Sequence, residues 1–161
     1  MRYLFLVVFS CFQLTAQSER VVKKATKMIQ KAYDSDLIEL TENSFQFHSV
    51  VGKLYDILDH QLLKGYAFIG TAPSKTDTFE YLVILDQNLV IKKINVLVYR
   101  EDYGGEIGSN RWLKQFVGKS NKIDFSVGKN IAAISGATIS VYSMTNAVNQ
   151  LLSDLNNFDP I

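Results

Sequence analysis

Apolar positions along the chain change their spacing several times, and each change marks an element. Val21, Val22, Ala25, Met28, Ile29 and Ala32 recur at three- and four-residue intervals, with Lys and Gln between them. This spacing predicts an amphipathic helix from Ser18, as cap, to Tyr33. Asp34-Ser35-Asp36 ends it. Leu37–Leu40 and Phe45–His48 read as short strands. From Ser49 the spacing is helical again, with Val50, Val51, Leu54, Tyr55, Leu58 and Leu62 on one face until Lys64-Gly65. Three strand candidates follow: Gly65–Gly70, Phe79–Leu85 and Val90–Tyr99. They are joined by a loop containing Pro73 and by the turn Asp86-Gln87-Asn88. Links this short favour antiparallel neighbours, hence a meander. A short helix is predicted over Ser109–Phe116, capped by Ser109, with Trp112, Leu113 and Phe116 on one side. Residues 118–129 are polar, Ile131–Ile134 reads as a short buried segment, and a last amphipathic helix runs to about Leu155.

Composition narrows the class. With 161 residues, 47% of them hydrophobic and 20% charged, the chain has the make-up of one folded domain. A formal net charge of +1 and no basic stripe give no case for nucleic acid. His48 and His60 lack the cysteine or carboxylate company of a metal site and receive no role. The start of the chain stands apart. Arg2, the apolar run Tyr3–Phe12 and the polar-to-small stretch ending Ala16-Gln17 have the layout of a secretory signal peptide, too short to span a bilayer. The expectation is export, to the periplasm or the outer face of the cell membrane. The single cysteine, Cys11, falls in this leader, where Val8-Phe9-Ser10-Cys11 is a poorer fit to a lipid-anchoring signal. The mature chain is then held by packing without disulfides.

Two stretches carry candidate chemistry. Ser135-Gly136-Ala137-Thr138 is a turn of small residues running straight into the last helix. Such a turn leaves backbone N–H groups open to an anion, and leaves the Thr138 hydroxyl unhindered. The plainer reading is a helix cap. About thirty residues earlier runs Tyr99-Arg100-Glu101-Asp102-Tyr103-Gly104-Gly105-Glu106-Ile107-Gly108-Ser109-Asn110-Arg111-Trp112. Its glycines permit close approach of backbone to a flat ring.

Together the two stretches resemble the FMN-binding domain family, which includes subunits of the Rnf complex and of the sodium-pumping NADH:quinone oxidoreductase. The resemblance covers roughly Gly65 to Leu152. It implies an α+β fold, a twisted antiparallel sheet with packed helices. It also implies FMN joined through a phosphoester to Thr138, with Ser135, Gly136 and Ala137 around the link. Gly105, Glu106, Ile107 and Gly108 would lie against the flavin; from its own chemistry Arg111 could meet a phosphate or the negative charge of the reduced ring, and Trp112 could serve as stacking or core residue. A separate FMN transferase using FAD would make the bond, and membrane-linked redox proteins would give or take electrons. Where the family usually has Asp three residues before the Ser/Thr, this chain has Ala132. The chain is thereby divided into a leader (1–17), an N-terminal extension of helix and strands (18–64) and an FMN-binding domain (65–155).

Three functions fit this reading. The first is an electron carrier without a substrate pocket of its own, for which no acid–base pair is needed. The second is a small flavin-dependent reductase acting on a soluble acceptor. The third is an unflavinylated binding module that kept the fold, for which Ala132 is the sequence feature.

Overall fold

The computed structural model describes residues 19–159; the leader, Cys11 and the Ser18 cap lie outside them. Helix α1 (19–33) leads into five strands: β1 (Ile38–Glu42), β2 (Val51–Asp59), β3 (Leu62–Pro73), β4 (Thr78–Leu85) and β5 (Ile91–Val98). All neighbours are antiparallel, and the order in the sheet is the order in the chain. A 3₁₀ turn (Gly105–Gly108), the short helix α2 (Asn110–Leu113) and the long helix α3 (Thr138–Asp154) complete the fold. The expected α+β meander with packed helices is what the chain adopts.

Both faces of the sheet are covered, and this explains the sequence of its centre. Successive side chains of a strand point to opposite faces. Phe79, Tyr81, Val83 and Leu85 of β4 join the core under α3, together with Val141, Met144, Val148 and Leu151. Leu82 and Ile84 point the other way, onto Val21, Ala25 and Ile29 of α1. Seven of the eight β4 positions are therefore buried, and the strand reads as a continuous apolar run. Lys24 of α1 donates to the Leu97 carbonyl, tying the helix to β5.

Double coverage also produced the main error of the sequence reading. The stretch from Ser49 to Lys64 is not a helix but β2, a tight turn and the start of β3. Leu54 faces α3 while Tyr55 and Ile57 face α1, so apolar residues cluster without strict alternation and imitate helical spacing. The turn is a two-residue hairpin in which His60 and Gln61 both have positive φ, 50° and 62°. That is the type I′ pattern, here without its usual Asn or Gly. Phe45–His48 is likewise not a strand. Phe45 and Phe47 instead plug the core edge-on, Phe47 lying 4.8 Å from Phe68 between ring centres. Of Ile131–Ile134 only Ile131 is buried; Ala132 and Ala133 are exposed.

Phe68 fills space left by two glycines. Gly52 and Gly70 are partners across β2 and β3, and a Cβ on either would come within 2.3 Å of the Phe68 ring. The ring is fully buried.

Asp154, the last residue of α3, ties that helix to the loop before β2. Its carboxylate accepts from the Ser49 N–H (2.8 Å), the Ser49 hydroxyl (2.9 Å) and the His48 N–H (3.0 Å). Burial works to raise its pKa, but these hydrogen bonds outweigh it and hold the group below its ordinary value. A depressed carboxylate stabilises the fold above its unfolded pKa of about 4 and loses that contribution as pH falls further. Asp154→Ala is expected to cost about 1–3 kcal/mol at neutral pH, because three donors lose their acceptor. Urea melts of both proteins should converge below pH 4. Equal stability at pH 7 would show that the clamp contributes nothing.

Candidate functional site

The site lies where the chain leaving β5 passes the N-terminus of α3. Gly104 sits in the left-handed region at φ 80° and introduces the 3₁₀ turn. A Cβ there would stand 2.7 Å from the Ala137 Cβ and 3.1 Å from the Tyr99 hydroxyl. The glycine loop and the small-residue turn, about thirty residues apart in sequence, thus meet at Gly104 and Ala137. Tyr99 fastens the junction: its hydroxyl is 3.2 Å from the Tyr103 carbonyl and 3.1 Å from Ser140 Oγ. Gly104→Val is therefore expected to strain the backbone and force loop and turn apart. A Cβ on Gly105 meets nothing within 4 Å beyond its chain neighbours, so Gly105→Val should melt like the parent. If Gly104→Val melts like the parent too, the contact at Ala137 does not hold the site together.

Thr138 is the first residue of α3 and is exposed. The cap position is Ala137, whose side chain has no acceptor, so the plainer cap reading fails for this helix. Gly136, at φ 79°, leaves open space beside the turn. These residues line a cleft of about 550 Å³, closed on other sides by Lys75, Thr76, Tyr99, Glu101, Asp102 and Tyr103, with Ile139 and Ser140. Two of its lining residues offer exposed apolar surface: Tyr103 is 82% exposed and Ile139 about half exposed.

Glu101 shapes one wall. It accepts from Ser74 Oγ (2.6 Å), the Thr76 N–H (2.7 Å) and Thr76 Oγ1 (2.9 Å). The Ser74 hydroxyl foremost, then the Thr76 N–H, lower its pKa to about 2. The turn between β3 and β4 is thereby pinned to the exit of β5. Arg100 plays no part in the cleft. Its guanidinium holds Glu80 through two bonds of 2.8 and 2.7 Å and also donates to the Thr78 carbonyl.

The structure divides the residues expected at the site. Gly136, Ala137 and Thr138 line the cleft, and Ser135 is the exposed residue before them. Glu106, Arg111 and Trp112 line a separate cavity of about 430 Å³ with Gln115 and Ala132. Ile107 is fully buried in the core, so its side chain is closed to a ligand. Trp112 is 5% exposed and packs edge-on against Phe116; its Nε1 donates to the Ala132 carbonyl at 2.7 Å. Gln115 accepts from the Ala132 N–H at 2.7 Å. Trp112 and Gln115 therefore hold the segment that leads into the Ser-Gly-Ala-Thr turn. Gly105 and Gly108 are exposed; a Cβ on Gly108 would make only an ordinary 3.7 Å contact with Val96. Sequence reasoning missed Lys75, Thr76, Glu101 and Asp102. The first two lie on a turn with no motif, and only the pairing of β3, β4 and β5 brings them to Thr138.

The family model of the FMN-binding domain matches residues 75–153. Every residue lining the Thr138 cleft lies within that stretch. FMN is the cofactor that the match supports. A solved structure of similar shape is NqrC of Shewanella oneidensis, at TM-score 0.48 and 19% identity over 61% of this chain. The similarity spans 54% of that chain, about half its length. No curated protein matches.

Proposed function

We propose, from the premise that residues 75–153 match the FMN-binding domain family, that this protein is an exported electron carrier holding FMN as a phosphoester on Thr138. The observation that carries the reading is the exposed Thr138 at the uncapped start of a 17-residue helix, in the wall of a ligand-sized cleft. The residues suit the group. The first-turn N–H groups and the dipole of α3 favour a phosphate. Gly136 and Ala137 offer no bulk against it. Tyr99, Tyr103 and Ile139 give the cleft apolar surface for a flat ring.

Thr138 supplies the ester oxygen. No His or carboxylate is hydrogen-bonded to its hydroxyl among the described residues, and none is therefore seen in place to activate it as a nucleophile. The family resemblance supports attachment by a separate transferase using FAD, in which the Thr138 oxygen would replace AMP on the flavin-side phosphorus and the hydroxyl proton would be given up. Tethering suits a protein outside the cytoplasm, since a bonded cofactor cannot be lost by dilution. When bound, FMN would supply reversible electron uptake, with Tyr99, Tyr103 and Ile139 as the residues that would hold its ring and membrane redox proteins as its electron partners.

Intact-mass analysis of protein from its own host tests this. The expected product lacks the leader and is heavier by one FMN less one water, with the increment on the peptide containing Thr138. An unmodified mass would overturn the tethered-carrier reading and favour the binding module.

A further inference from the structure

We infer that Lys75, on the turn between β3 and β4, is the cation that meets the negative charge of the reduced flavin in the Thr138 cleft, and that Glu101 is the positioning residue for that turn. The inference deepens the FMN reading and rests on it.

The cleft is lined by three charged side chains, Lys75, Glu101 and Asp102. Arg111, the cation expected from the sequence, lines the neighbouring cavity instead. Lys75 is exposed and has no hydrogen-bond or ion-pair partner among the described residues, as is common for a surface lysine. Its backbone, however, is unusually well fixed. Ser74 and Thr76, on either side of it, both donate to Glu101, twenty-five or more residues further on. Ser74 is buried, and its N–H and Oγ also bond Asp77, to the carbonyl and from the N–H respectively. The depressed pKa of Glu101 keeps this clamp charged throughout the physiological range. A carboxylate fully occupied by a turn is less free to neutralise the ammonium that the same turn carries.

Uptake of two electrons and one proton from a reductant leaves the ring with one added negative charge. A cation beside it favours that state, and carboxylates oppose it. Lys75 therefore raises the flavin midpoint potential, and Asp102 lowers it.

The test uses the full chain co-expressed with an FMN transferase, checked by intact mass and then titrated with dithionite at low and high salt. Lys75→Gln should lower the midpoint, Lys75→Arg should hold it near the parent, and Asp102→Asn should raise it. Opposite shifts from two neighbouring substitutions are a charge effect, which loss of structure does not imitate. The shifts should shrink at high salt. Ser74→Ala with Thr76→Ala keeps every charge while removing two of the Glu101 bonds. It should move the midpoint in the same direction as Lys75→Gln, by less. A labelled Lys75→Gln protein with the parent midpoint at low salt overturns the role of Lys75. An unchanged midpoint in the double variant overturns the role of Glu101. A parent protein that takes no label sinks the FMN reading first and this inference with it.

Discussion

Thr138→Ala is expected to abolish covalent flavin altogether while leaving the fold intact. The proposed ester needs a hydroxyl at the start of α3, and alanine removes the only oxygen in that side chain. The cost to stability is small, because Thr138 is exposed and the cap position belongs to Ala137. A surface substitution of this kind stays within about 0.5 kcal/mol. Two nearby hydroxyls serve as controls of different strength. Ser140 Oγ is buried against the Tyr99 hydroxyl, so Ser140→Ala should remain fully labelled with a modest loss of stability. Ser135 is exposed and is the real competitor, since it has the same access to a transferase. Ser135→Ala should also remain labelled. Denaturing-gel fluorescence and peptide mapping after co-expression with a transferase decide the matter. Fluorescence persisting in Thr138→Ala, or a flavin peptide mapped to Ser135, would assign the bond elsewhere.

Phe68→Ala should have the largest effect on stability. The ring is fully buried and stands where side chains of Gly52 and Gly70 would otherwise be. It also meets Phe47 at 4.8 Å and Tyr81 at 5.8 Å between ring centres. With alanine at 68, three small residues, at 52, 68 and 70, would share one patch of the sheet under α3. Loss of a buried Phe costs about 3–5 kcal/mol, a large part of a domain stability of roughly 5–15 kcal/mol. Filling the gap from the other side is not open to simple repair: Gly70→Val in the parent would collide with Phe68 and Tyr81. The measurement is denaturant unfolding. A loss under about 1 kcal/mol would mean that the neighbouring rings collapse into the space.

What was legible in the sequence follows from how locally each element is specified. The Ser109 cap, the apolar run of β4, the helical spacing of α3 and the two motif stretches are each contained in a few consecutive residues. The two motif stretches divide between two cavities, while the cap, the strand and the helix were read correctly. The hairpin of β2 and β3 was not, because its strands are buried on both faces and its turn uses His60 and Gln61 in conformations usual for glycine or asparagine. The site was half legible for the same reason. Thr138 and its small neighbours announce themselves. The Lys75 turn does not: Ser74, Lys75 and Thr76 acquire meaning only when Glu101 reaches them from the far end of β5. Trp112 illustrates the converse. It stood out as the only tryptophan, yet it supports the approach to the turn through the Ala132 carbonyl and belongs to the core.

A sheet whose strands follow in chain order closes through successive hairpins, each of low entropic cost. The contacts of α3 are of another kind, since its last residue reaches back more than a hundred positions to Ser49. The fold therefore combines local hairpin contacts with long-range contacts of α3. The surroundings of Thr138 belong to the second kind, where Ala137 comes against Gly104 and Ser140 against Tyr99. A chain interrupted before position 138 contains the residues of all five strands but lacks Thr138, Ile139 and Ser140 of the cleft. On the tethered-flavin reading, attachment thus waits for maturation of the whole polypeptide, and the presence of the cofactor certifies that the last helix has arrived.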